Sequence, residues 1–174
     1  GSVYAENVLQ IPNPRVGLLN IGHEPGKGNQ LVQDVHARLA ELPLNFIGNI
    51  EGRDIPRGDV DVVVCDGFVG NVVLKFAEGL GGSLFDMMKE EFTRTLSSKL
   101  GAVLLKPGLK RIKKQMDYTE YGGAPLLGVK GVTIVAHGGS NAKAIRNAIR
   151  VAKEGVDNKI VETIEELMIT REGD

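Results

Sequence analysis

The stretch that decides the fold reads Val16-Gly17-Leu18-Leu19-Asn20-Ile21-Gly22-His23-Glu24-Pro25-Gly26-Lys27-Gly28-Asn29. A short apolar run gives way at Gly22 to a glycine-rich turn, after which Leu31, Val35, Leu39 and Leu42 recur at the spacing of one helix face. The same grammar returns at Val60 to Cys65, followed by Asp66-Gly67-Phe68-Val69-Gly70-Asn71 and a long helical pattern. It returns again at Val132 to Ala136, which leads into His137-Gly138-Gly139-Ser140-Asn141. The helix after that turn carries Ile145, Ile149, Ala152, Val156, Ile160, Ile164 and Leu167 along one face, with Ser140 placed as its N-cap. Leu44 to Ile50 adds another strand. Apolar strands alternating with helices predict an α/β fold: a three-layer, Rossmann-like parallel or mixed sheet covered on both faces. Ligands in such folds sit beyond the C-terminal strand ends, where all the glycine-rich turns fall.

The middle of the chain follows a different rule. Leu84, Met88, Phe92, Leu96, Leu100 and Leu104 step by four residues, and Lys106-Pro107-Gly108 then interrupts the pattern before Leu109, Ile112 and Met116 resume it. Lys106, Lys110, Arg111, Lys113 and Lys114 cluster at the interruption. The spacing predicts a protruding amphipathic helical hairpin over residues 83–118 with an apolar, basic end.

Each turn has a chemical and a plainer reading. Glycine-rich backbone at a helix start offers N–H groups to an anion, and Lys27 adds a full positive charge. The loop is neither a Walker A sequence nor GxGxxG: Gly26-Lys27 follows Gly22 too closely, and Gly28 stands where Ser or Thr would hold magnesium. Gly22 to Asn29 is thus a phosphate or oxyanion cradle, or else a tight turn with a solvated lysine. Asn71 either caps a helix or donates its amide to a carbonyl or phosphate oxygen. Asp66 orients a partner or closes an Asx-turn. His137 does acid–base work or is tied to nearby backbone. His23 and His36 occupy positions that demand no chemistry, Tyr118 to Gly128 is a connecting loop or a ligand-approach loop, and Cys65 reads as a buried structural thiol.

Composition narrows the classes. A chain of 174 residues with 42% hydrophobic and 25% charged residues can bury a real core. A formal charge of −1 gives no support to nucleic-acid binding, and one cysteine excludes an internal disulfide and a Cys-only metal site. No stretch approaches membrane-spanning length, no signal peptide is evident, and the single cysteine fits a reducing compartment.

Taken together the loops resemble the phosphate acyltransferase (PlsX) family of phospholipid synthesis. The matching stretches are Leu18-Leu19-Asn20-Ile21-Gly22 with Glu24 and Lys27-Gly28-Asn29, then Asn45-Phe46-Ile47-Gly48-Asn49 and Asp61-Val62-Val63-Val64. They continue through Asp66-Gly67-Phe68, Gly70-Asn71-Val72, Leu105-Lys106-Pro107, Tyr121-Gly122-Gly123-Ala124 and His137-Gly138 in family order. The resemblance implies an isopropylmalate-dehydrogenase-like fold, of which residues 1–174 form the C-terminal part. It implies transfer of an acyl group from acyl–acyl carrier protein to inorganic phosphate, with no cofactor and no metal. It also implies a homodimer that associates peripherally with an anionic membrane surface. By position it makes Lys27, Asn71 and His137 catalytic, and places Gly26, Gly28, Asn29, Asp66, Gly67 and Gly70 around phosphate or substrate. Leu96, Leu100, Leu104, Lys106 and Lys110 become the membrane contact. Family members are roughly twice this length and carry a further strand-and-glycine motif, and the third loop reads His-Gly-Gly-Ser-Asn where the family pattern has serine at the second glycine. The competing reading is a non-catalytic dimerisation or scaffold piece; a nucleotide-binding domain is disfavoured by both incomplete phosphate loops.

Overall fold

The computed structural model describes residues 1–115, 120 and 122–172. The sequence features at Met116, Tyr118, Thr119 and Tyr121 lie outside the described residues. The chain divides into two compact units, Gly1–Gly70 with Glu154–Asp174, and Asn71–Lys153.

The first unit is built on a three-stranded parallel sheet of β1 (Val16–Leu19), β2 (Phe46–Ile50) and β3 (Val62–Val64), in the order β2-β1-β3. Helix α2 (Gln30–Glu41) connects β1 to β2, and a 3-10 turn at Ile55–Arg57 precedes β3. Every side chain of β1 is buried, as a strand paired on both edges and covered on both faces requires. Gly17 leaves room for this: a Cβ there would lie 2.8 Å from Ile50 Cγ2 and 3.1 Å from Val60 Cγ2. Helix α1 (Ser2–Asn7) packs with α6 (Ile160–Glu172), burying Ala5 and Ile160.

Two local devices shape the sheet. Val16 pairs with Phe46 but Gly17 pairs with Gly48, so Ile47 is an extra residue in β2, and Gly48 takes φ +91°, the left-handed region that glycine enters without strain. At the opposite end of β1, the Arg15 backbone N–H and Nε both donate to Asp61 Oδ2, at 2.8 and 2.9 Å, and Nη2 donates to Oδ1 at 3.0 Å. Arg15 and Asp61 immediately precede β1 and β3, so this forked pair fixes the start of both strands.

In the second unit, α4 (Leu96–Gln115) follows α3 (Gly67–Arg94), which starts in the first unit's last residues. The break falls at Thr95 rather than at Lys106-Pro107-Gly108. Thr95 Oγ1 accepts from the Ser98 N–H at 3.0 Å, an N-cap that starts α4, whereas Pro107 stays inside the helix. An exposed helix tolerates the lost hydrogen bond because water reaches the freed carbonyl.

The third apolar run also departs from expectation. Only Ile134–Val135 forms a strand, β5, and it pairs antiparallel with β4 (Ala124–Pro125) in a separate two-stranded sheet instead of extending the parallel one. Helix α5 (Ala142–Asp157) and α6 are two helices, separated at Lys159 with φ +48°. The face of α5 that packs is Ala144, Ala148 and Val151, while Ile145, Ile149 and Val156 are exposed. Small residues win there because the backbone of Gly122 lies against Asn147 and Ala148, too close for any side chain at Gly122. The N-cap of α5 is Asn141, whose Oδ1 accepts from the Ala144 N–H; Ser140 Oγ has no partner among the described residues.

The forked Arg15 pair holds the Asp61 carboxyl down from 3.8 to about 2, through the guanidinium hydrogen bond first and the Arg15 backbone N–H second. A depressed folded-state value gives stability that is full above the unfolded value and lost as pH falls through the folded one. We therefore expect wild type to exceed Asp61→Asn in urea stability at pH 5, with the gap closing between pH 4 and pH 2, roughly the interval bounded by the two values. A pH-independent gap would show that the pair carries no titrating stability.

Candidate functional site

Two of the glycine-rich turns leave the C-terminal ends of adjacent parallel strands, β1 and β3. The chain passes from β1 to β2 on one side and returns across β1 to β3 on the other, so these turns flank the point where strand order reverses. Open parallel sheets receive ligands in that crevice.

The turn after β1 is held from several directions. Asn20 Oδ1 accepts from the Ile21 N–H at 2.8 Å, and its Nδ2 donates to the Lys27 carbonyl at 3.0 Å. Gln33 Nε2 on α2 donates to the Gly26 and Gly28 carbonyls at 3.0 and 3.1 Å. Asn49 Nδ2 on β2 donates to the Glu24 carbonyl at 2.8 Å, the same oxygen that receives the Lys27 N–H at 3.0 Å. Asn29 is the N-cap of α2, its Oδ1 accepting from the Val32 N–H. Lys27 itself is exposed, with no ion pair among the described residues.

Both histidines of this region are engaged by Asn49. His23 donates from Nδ1 to the Asn49 carbonyl at 3.1 Å, and its Nε2 lies 3.5 Å from Asp54 Oδ2. Because Asn49 Nδ2 is the donor to Glu24, its Oδ1 is the acceptor, and His36 Nδ1 donates to it at 2.9 Å. His23 and His36 thus serve the loop's anchoring, in keeping with positions that demand no chemistry.

In the turn after β3, Asp66 Oδ1 accepts from the Phe68 and Val69 N–H groups, both at 2.9 Å, and its carbonyl accepts from Gly70. Asp66 is therefore the residue that starts α3, and Asn71 lies inside that helix with its side chain exposed. Cys65 is exposed rather than buried; partial desolvation and then the Asp66 charge push its thiol up, away from the nucleophilic thiolate.

Asn71 and His137 belong to the second unit. The Gly139 N–H donates to His137 Nδ1 at 3.1 Å, so the neutral ring carries its proton on Nε2. The described part of the basic helix presents Leu96, Leu100 and Leu104 at 85%, 68% and 77% exposure, with Lys106 and Lys110 exposed beside them. A cleft of about 620 Å³ opens between α3 and α4, its apolar floor made by Phe85, Met88, Phe92 and Leu109. No cluster of histidine, cysteine and acidic groups among the described residues could hold a metal.

The sequence model of the family described as "Fatty acid synthesis protein" matches residues 1–163. The chain belongs to that family. A relative called phosphate acyltransferase from Desulfitobacterium hafniense (strain DSM 10664 / DCB-2) is 63% identical over 165 residues, covering 94% of this chain and 49% of the relative. The protein of the same name from Alkaliphilus oremlandii is 58% identical over 166 residues, 95% of this chain and 50% of the relative. That from Moorella thermoacetica is 56% identical over 167 residues, 96% of this chain and 49% of the relative. The chain spans about half the length of these fatty acid synthesis family relatives. Within this loop's framework, Asn20, Gln33 and Asn49 are the contributors that sequence reading leaves without a role. Asn20 and Asn49 are signalled only as polar residues inside apolar strand motifs, and Gln33 has no signal beyond a polar position on α2.

Gly28 is the loop's most constrained position: φ is +88°, and a Cβ there would fall 2.5 Å from Asn20 Oδ1. Gly26 has nothing within 4 Å of a built Cβ. We expect Gly28→Ala to lose about 1–2 kcal/mol in urea unfolding, and Gly26→Ala to be neutral or slightly stabilising. Equal effects at both positions would contradict the geometry.

Proposed function

We propose that this chain is part of an acyltransferase of fatty acid and phospholipid synthesis, and that it carries the phosphate-receiving portion of the site. The observation that carries the reading is the exposed Lys27 on an anchored glycine-rich loop at the strand-order reversal. The shared name of its relatives supports the same reaction class.

In this reading inorganic phosphate is already a competent nucleophile, so the site needs positioning and charge stabilisation more than a side-chain nucleophile. A phosphate oxygen attacks the thioester carbonyl of acyl–acyl carrier protein. The tetrahedral intermediate collapses with cleavage of the C–S bond, giving acyl phosphate and the carrier thiolate, which takes up a proton. Lys27 holds the phosphate or the developing oxyanion. Gly26, Gly28 and Asn29 line the anion side, and Asp66, Gly67 and Gly70 shape the neighbouring turn. Asn71 orients the thioester carbonyl. His137, with its neutral-form proton on Nε2, donates to the leaving thiolate.

The partners follow the surface. Phe76, Leu80, Leu84 and Met87 are large exposed apolar residues on α3, and a second copy of the chain would cover them in a homodimer. Leu96, Leu100 and Leu104 enter the headgroup region of an anionic membrane while Lys106 and Lys110 meet its charge, each basic residue adding ~1 kcal/mol. The enzyme then works in the bacterial cytoplasm, peripherally on that membrane; no helix among the described residues is long and apolar enough to cross it.

In the intact protein, Lys27→Ala should reduce acyl phosphate formation, trapped as the hydroxamate, by about 10²–10³-fold. Near-normal turnover would remove Lys27 from the chemistry and favour the scaffold reading. Separately, Leu100→Asp should weaken flotation with phosphatidylglycerol vesicles, and unchanged flotation would discard the α4 contact.

A further inference from the structure

We propose that the carboxamides of Asn20, Gln33 and Asn49 are positioning residues that set the Gly22–Asn29 loop in its anion-receiving form. They do so by taking up the carbonyl oxygens of Glu24, Gly26, Lys27 and Gly28. The inference rests on the reading that this loop receives phosphate.

The argument begins with peptide planarity. In a trans peptide the carbonyl of one residue and the N–H of the next point in opposite directions. Asn20 holds the Lys27 carbonyl, so the Gly28 N–H is turned away from Asn20; Gln33 holds the Gly28 carbonyl, so the Asn29 N–H is turned away from Gln33. Neither N–H has a hydrogen-bond partner among the described residues. The two donors follow Lys27 directly in sequence, and their peptide dipoles turn their positive ends away from the carboxamides. A carbonyl left free in the same loop could turn its negative end toward the anion instead.

Asn49 fixes the other end of the loop. It is 4% exposed, and the carbonyl it holds, that of Glu24, also receives the Lys27 N–H. Its aim depends on the extra residue in β2. Positions 46 and 49, three apart, would face opposite sides of a regular strand. With Ile47 inserted they share a side: the Phe46 ring meets His36 edge-on at 5.2 Å, and Asn49 Oδ1 receives the His36 Nδ1–H. All three carboxamides are uncharged, so they fix the loop without competing with Lys27 for the anion.

Gln33→Met keeps side-chain length and helix propensity but removes both donors, and Asn20→Ala removes the donor to Lys27 without placing a charge beside the anion. In the intact protein each variant should raise the KM for inorganic phosphate about tenfold, the loss of roughly one net hydrogen bond to a site for a charged group. The KM for the acyl donor should stay within twofold, and the melting temperature should be nearly unchanged for Gln33→Met. Independently of activity, titration with inorganic phosphate should shift the Gly28 and Asn29 backbone N–H resonances in wild type and much less in Gln33→Met. An unchanged phosphate KM in both variants, with Lys27→Ala inactive, would overturn the positioning role and leave the phosphate reading standing. An active Lys27→Ala would overturn the role of Lys27. In that case phosphate-dependent shifts that Gln33→Met suppresses would still uphold the carboxamides, and absent shifts would overturn them.

Discussion

The pairing of β1 on both of its edges is the constraint on which the first unit depends. Val16–Leu19 supplies hydrogen bonds to β2 and β3 at once, and in a buried strand none of those groups has water to fall back on. A central strand of this kind cannot shift without unpairing both neighbours. The turns that leave β1 and β3 inherit that rigidity, and the forked Arg15–Asp61 pair secures the opposite end of the same two strands.

In the proposed reading, the loop after β1 meets a charged ligand without a charged pocket around it. The backbone offers partial positive charge wherever peptide planes are correctly turned, and Lys27 remains exposed as the one full charge in the loop from Gly26 to Asn29. Neutral amides do the turning. Acidic groups stand close by: Glu24 lies within the loop, its Oε2 2.8 Å from where a Gly22 Cβ would be, and Asp54 and Glu51 face His23.

Much of this was legible in the sequence, and the exceptions have physical causes. The strands around Leu18, Ile50 and Val63 and the helix after Gly28 follow from apolar patterning, because burial on both faces leaves an unbroken signature. The break between α3 and α4 was misplaced because Pro107 is the louder signal, whereas the Thr95 hydroxyl supplies the cap that ends one helix and starts the next. The packed face of α5 was missed because Ala144 and Ala148 bury little area; at Ala148 the backbone of Gly122 presses close. The run around Val132 reads like a parallel strand, yet its length in the structure is two residues and its partner is β4, a pairing no local pattern encodes. The carboxamides of Asn20, Gln33 and Asn49 meet in three dimensions from three separate elements, which is why residue types that are ordinary one by one gave no warning.

The extra residue at Ile47 makes chain length itself a functional parameter in β2. A substitution alters one side chain, but removing a single residue here would change the parity of the strand and turn Asn49 to the opposite face, although no residue of the glycine loop had changed. Gly48 guards that parity, since its left-handed conformation is what lets the additional residue be absorbed locally. This part of the gene should therefore be far less tolerant of in-frame deletion than of conservative replacement, a pattern of mutational sensitivity centred 20 residues from Lys27 in sequence and arising from geometry rather than chemistry.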